Sequence, residues 1–180
     1  MVKTINMNTL KKSIMKGHVF LLLMIVSITF MSCSSDDDTS DPEPEVSIDL
    51  AAHAIEFSVV KTSDFEGVVT IKGMVQNLGD DFVSGEGQQI IYLYERALGL
   101  SSDNPGTLLA EEAFTTLDAD ETIEISFSKA WSASVEFPPD FILVIAYDPD
   151  IYIDSNPHND DSNSENNILS VNGSLINDEF

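Results

Sequence analysis

Between Val68 and Asn77 the run VVTIKGMVQN puts Val69, Ile71 and Val75 on one face with polar side chains between them, the two-residue period of a half-buried strand. Thr122 to Ser128 repeats the pattern with Ile123, Ile125 and Phe127 inward. Gln89 to Arg96 (QIIYLYER) is rich in strand formers and sets Ile91 and Leu93 on one face, Tyr92 and Tyr94 on the other. Ile48 to Val60 predicts a long first strand interrupted near His53, and Thr107 to Thr116 a weaker one. Phe141 to Tyr147 (FILVIAY) is almost wholly apolar, which predicts a central strand covered on both faces. Asn167 to Ile176 closes the series. Turn chemistry separates the runs: Asn77-Leu78-Gly79-Asp80, the SSDNPG of Ser101 to Gly106, and Asp118 to Glu121. Seven short strands joined by such turns predict an all-β, two-sheet antiparallel sandwich.

The N-terminal stretch is patterned differently. Lys3, Lys11, Lys12 and Lys16 precede an apolar run from Val19 to Met31, and the run ends at Cys33, the one cysteine of the chain. A membrane-spanning helix needs roughly 20 apolar residues, so this run suits the core of a signal peptide instead. It resembles a bacterial lipoprotein signal, which implies acylation of Cys33 as the new N-terminus. Met7 and Met15 are alternative starts. The cleavage region departs from the lipoprotein pattern, because Phe30 and Met31 stand where Leu and a small residue are usual and only Ser32 fits. An unpaired cysteine in an exported chain is accounted for by acylation. The expected organisation is a signal peptide over 1–32, an acidic disordered tether over 33–46, one folded domain over 47–176, and a tail over 177–180. The tether reads SSDDDTSDPEPE. Its SSDDD run resembles the export signal of Bacteroidota surface lipoproteins, and it also reads as a plain solvated linker. The location expected is the outer membrane, lipid-anchored and surface-exposed.

Charge sharpens this picture. All 31 acidic residues lie after Cys33, together with only Lys61, Lys72, Arg96 and Lys129 of the eight basic ones, so the part from Cys33 onward carries a net charge of −27. Such a surface repels nucleic acid and anionic headgroups, which excludes nucleic-acid partners.

The order of features resembles the CARDB family, the bacterial cell-adhesion-related, immunoglobulin-like domain. The residues that carry the resemblance are Ile48-Asp49-Leu50, Val75-Gln76-Asn77-Leu78-Gly79, Ile91 to Tyr94, Leu117 with Asp118 to Glu121 before ETIEISF, Phe141 to Asp148, and Glu165-Asn166-Asn167. The segment between Asp148 and Glu165 and the loop from Ala97 to Gly106 are longer than a minimal version. The resemblance implies a seven-stranded immunoglobulin-like β-sandwich and an adhesion-like role. No inter-sheet cysteine pair exists, so the apolar core alone must hold the domain.

Catalytic chemistry is sparse. After Cys33 the only histidines are His53 and His158, and no nucleophile elbow, phosphate loop or zinc motif is present. The chain is accordingly expected not to be an enzyme. Trp131, Tyr92 and Tyr94 read either as a platform for sugars or peptides or as core. The segment DPDIYIDSNPHNDDSNSENN from Asp148 to Asn167 concentrates hard oxygen ligands, the type calcium prefers. Asn159, Asp161 and Asn163 have the spacing that opens a calcium loop, but Ser164 and Ser170 stand where an EF-hand needs Gly and Glu. The segment therefore reads as solvated turns or as a calcium site with Asp148, Asp150, Asp154, Asp160 and Asp161 as ligands. Two function classes follow: a lipid-anchored envelope protein that binds a protein or glycan partner, and a non-catalytic structural or accessory subunit of an outer-membrane complex.

Overall fold

Val69, Ile71 and Val75 are fully buried on one face of a strand spanning Glu66–Asn77, as their spacing requires. The computed structural model describes residues 45–180; the signal segment, Cys33 and all but the end of the acidic tether lie outside them. Three antiparallel strands, β1 (Leu50–Lys61), β2 (Glu66–Asn77) and β7 (Thr122–Ser132), form one sheet in the order β1-β2-β7. A second antiparallel sheet takes the order β5-β4-β8-β9 from β4 (Gln89–Arg96), β5 (Thr107–Ala113), β8 (Asp140–Tyr147) and β9 (Ile168–Asn172). Two-residue strands β3 (Phe82–Val83) and β6 (Thr116–Leu117) pair beside them. The described residues thus hold nine strands against the seven expected, because β3 and β6 are too short to show a period. No helix among them is long and apolar enough to cross a membrane.

The inner faces of the two larger sheets share one core. Phe141 of β8 packs between Phe57 of β1 and Trp131 of β7, at ring separations of 5.4 and 6.1 Å. Gly73 in β2 leaves the space that Leu143 fills from the opposite sheet: a Cβ there would come within 2.7 Å of the Leu143 side chain. Isoleucine or valine at that point of β2 would hold the sheets apart.

The Asn77-Leu78-Gly79 turn is explained by backbone satisfaction. Asn77 is fully buried, and its Nδ2 donates to the Asp80 and Leu117 carbonyls at 2.7 and 2.8 Å while its Oδ1 accepts from Gly79 N. Gly79 lies against the Ser47–Asp49 backbone, where a Cβ would collide with the Ser47 carbonyl. The neighbouring bonds Leu78 N to Asp49 O and Asp80 N to Ser47 O fasten the chain entry to β2.

One expectation holds in the first strand, and two are revised at the C-terminal end. The first strand is interrupted at the expected place, since the β1–β2 register shifts between Ala52 and Ala54 and leaves His53 exposed. The last strand stops at Asn172 instead of Ile176. Gly173 N donates to the Pro139 carbonyl, and a short helix α1 (Ser174–Asn177) swings the fully buried Ile176 into the core. The stretch expected as a tail over 177–180 makes specific contacts: Asn177 Oδ1 accepts from the Trp131 indole at 2.9 Å, and the Phe180 carbonyl accepts from Lys61 Nζ at 3.0 Å.

Candidate functional site

The solvent sides of the two larger sheets differ in chemistry. On the β1-β2-β7 sheet the outward residues include Glu56, Ser58, Thr70, Lys72, Glu124 and Ser128, joined across strands by a Thr70–Ser128 hydroxyl bond of 2.8 Å and a Lys72–Glu124 ion pair of 3.2 Å. A sheet with one face on the core and one in water takes such an outer row, which turns apolar only at one end, where the paired Val60 and Val68 are exposed. On the other sheet the alternation places Ile90, Tyr92 and Tyr94 of β4 outward, in register with Ala146, Val144 and Ile142 of β8. Ile168 of β9 continues the row opposite Val144 and is 63 % exposed.

All of these side chains but Ile90 floor a groove of about 350 Å³. Tyr92 and Tyr94 stand 5.7 Å apart at 42° along it, and Ser102, Asp103 and Pro105 of the loop after β4 supply its wall. At one end Arg96 pairs with Asp140 at 3.2 Å, and Asn172 donates to the same carboxylate. At the other a smaller hollow of about 220 Å³ adjoins it through Tyr92 and Ala146, lined also by Gln88 and Asp148. Burial, then the neighbouring Tyr92 and Glu111, raises the Tyr94 phenol above its ordinary value, so it stays a neutral donor and acceptor. The groove thus combines aromatic faces, an aliphatic floor and polar ends.

Sequence reading put Tyr92 and Tyr94 on one face but missed Ile142, Val144, Ile168 and the 97–106 loop as their partners. The signal lay in FILVIAY: its apolar run was expected to be covered on both faces, yet the outer face of β8 lines this groove. Trp131 is core, 5 % exposed, and not part of the platform.

The oxygen-rich loop lies beyond β8. Asp148 caps a 3-10 turn over Pro149–Ile153, accepting from Asp150 N at 2.9 Å, and Asp150 is exposed. Asp154 accepts from Asn159 Nδ2, Asn156 N and Gln88 Nε2; the bond from Asn159, then that from Asn156, holds its carboxyl below the ordinary range. Asp161 pairs by a backbone bridge with Ile48 and accepts from Tyr147 Oη at 2.7 Å, Asn167 Nδ2 at 2.8 Å and Asn163 N at 3.0 Å. Asp160 keeps a buried Oδ1 with no partner. The five aspartates expected as one ligand set thus stand in separate bonding environments. Among the described residues no group of three or more His, Cys, Asp or Glu side chains is placed to hold a metal ion. His53 and His158 are exposed: one lies at the β1 bulge, and the other's carbonyl accepts from Val83 N.

No family model matches the chain, and no curated protein does. Among solved structures it is similar to β-glucosidase 3B from Thermotoga neapolitana in complex with glucose, at 13% identity and a TM-score of 0.30, over 71% of this chain and 15% of that one. A β-glucosidase from Kluyveromyces marxianus in complex with glucose gives 13% identity and a TM-score of 0.28, over 71% and 14%. The chain spans about a seventh of the length of these enzymes. A likeness at that level assigns this chain neither fold nor activity.

Proposed function

We propose that this protein is a lipid-anchored, surface-exposed envelope protein whose immunoglobulin-like domain binds a protein partner through the outer face of the β5-β4-β8-β9 sheet. The observation that carries the reading is the apolar row Tyr92, Tyr94, Val144 and Ile168 on a sheet face whose other side already serves the core. An outer row of that kind marks an interaction site when it is contiguous and rimmed by polar groups. Tyrosines supply large, rigid contact area at low entropy cost, and the Arg96–Asp140 pair at the groove's end gives a polar rim. The adhesion-like role agrees with the CARDB resemblance. Binding, not catalysis, is the function assigned.

The test is site-specific photo-cross-linking on intact cells. A photoreactive residue at Tyr92 is expected to capture a discrete protein, and one at Thr70, on the polar face, is expected to capture nothing. Tyr94→Ala is expected to weaken the captured interaction about tenfold or more, as at a central aromatic anchor. Equal adducts from both faces, or none from Tyr92, would remove this sheet face from the function. Oligosaccharide binding without protein adducts would move the assignment to a glycan.

A further inference from the structure

Five buried side-chain atoms among the described residues lack a hydrogen-bond partner, and four of them are oxygens of one short segment: Oδ1 of Asn159, Asp160, Asn166 and Asn167. Asn159 is wholly buried and Asn167 is 6 % exposed. The amide orientations are fixed by their other ends. Asn159 Nδ2 donates to Asp154 at 2.8 Å, Asn166 Nδ2 to Asp49 at 2.7 Å, and Asn167 Nδ2 to Asp161 at 2.8 Å. Turning any of these amides over would set oxygen against carboxylate, so the free atoms are oxygens and not nitrogens.

A buried oxygen without a donor is destabilising, and an ionised one more so. The chain from Cys33 onward has four basic residues to offer, and each is engaged elsewhere: Lys61 with the Phe180 carbonyl, Lys72 with Glu124, Arg96 with Asp140, Lys129 with Glu95. Among the described residues no Lys or Arg is left for this segment. A hard divalent cation requires only oxygens and accepts amide and carboxylate oxygens alike. The segment is also anchored before any ion arrives: Ser162 N and Oγ both donate to the Ile48 carbonyl, and Asp161 holds Tyr147 and Asn167.

We infer that residues 159–167 form a calcium-class cation site that draws its side-chain ligands from the free oxygens of Asn159, Asp160, Asn166 and Asn167. This set differs from the five aspartates that composition alone points to; Asp160 is the one common member, and Asp161 is a positioning residue. A single carboxylate among the free oxygens sets the affinity in the weak range of extracellular modules, about 10⁻⁴–10⁻³ M. Calcium is preferred to magnesium, whose small octahedral shell is harder to satisfy with preset amides. None of the four proposed ligands lines the Tyr92 groove or the hollow beside it, and either reading can fail without the other.

The test uses the full chain in detergent, stripped with chelator. Calorimetric titration with calcium chloride is expected to give saturable heat, magnesium chloride less, and sodium chloride at matched ionic strength none. Terbium is expected to give luminescence excited through tyrosine, since Tyr147 and Tyr152 lie 6.0 Å apart beside Asp161, and calcium is expected to quench it by displacement. Asp160→Asn and, separately, Asn166→Ala are expected to weaken calcium at least tenfold with the β circular-dichroism spectrum unchanged. Asp148→Asn with Asp150→Asn is expected to leave it as it was. No saturable heat and no terbium signal would show that ordered water, not a cation, meets these oxygens. Loss of binding in the Asp148/Asp150 pair with retention in both other variants would equally overturn the site.

Discussion

Tyr147 ties the sheet to the oxygen-rich loop through one phenol. Its hydroxyl donates to Asp161 Oδ2 at 2.7 Å, and burial first, then the Asp161 charge, pushes its ionisation far above the ordinary value of 10.0. A folded value raised above the unfolded one means that the folded state binds the proton more tightly. The contribution to stability is therefore complete below pH 10 and is lost as pH rises towards the folded value. In a spectrophotometric titration of the folded chain, this tyrosine is expected to stay protonated while others ionise. Asp161→Asn, which removes the charge, is expected to bring its midpoint down. All four tyrosines ionising together near pH 10 with structure intact would break the link. At this scale alternation told much: Tyr92 and Tyr94 outward, Ile91 and Leu93 inward, all readable from a period of two. What it did not tell is who meets whom across the chain. Trp131 finds its acceptor in Asn177, and Asp161 finds Tyr147, through folding and not through spacing.

Elements were legible where they were long. β2, β4, β7 and β8 lie where their alternation or apolar runs placed them, to within a few residues at the ends. β3 and β6 were not, since two residues carry no period. The closing helix was read as strand because Leu175 and Ile176 extend an apolar run, and only the Gly173–Pro139 contact turns the chain there. The apolar run of β8 was read as doubly covered because composition cannot distinguish a core neighbour from a groove. The strongest test of the element scale lies in β7. Ile125 is 6 % exposed, and both it and Leu143 close on Gly73 from opposite sheets. Ile125→Ala is expected to cost about 2–5 kcal/mol in chemical denaturation, because the surrounding strands cannot collapse into the cavity. Ser126→Ala, one residue along and exposed, is expected to stay within about 0.5 kcal/mol. Equal effects at the two positions would place Ile125 outside the core.

For the whole molecule, charge decides how it meets a membrane. From Cys33 onward the chain carries −27, and its four basic residues make no patch, each being engaged with a different partner. An acidic body of this kind is repelled by anionic headgroups and has no polybasic segment to supplement a lipid. On the proposed reading, membrane retention rests on acylation at Cys33, with the Ser34 to Glu45 stretch as the link between lipid and domain. Two changes separate anchoring from display. Cells fed an alkyne fatty acid are expected to label the wild-type protein and not Cys33→Ala, and the variant is expected to leave the membrane fraction. Replacing Asp36, Asp37 and Asp38 with alanine is expected to keep the label yet reduce cleavage by protease added to intact cells, if the acidic run acts in export, as the lipoprotein resemblance implies, and not in acylation. Labelling that survives Cys33→Ala would remove the anchor, and unchanged protease access in the triple-alanine chain would reduce SSDDD to a linker.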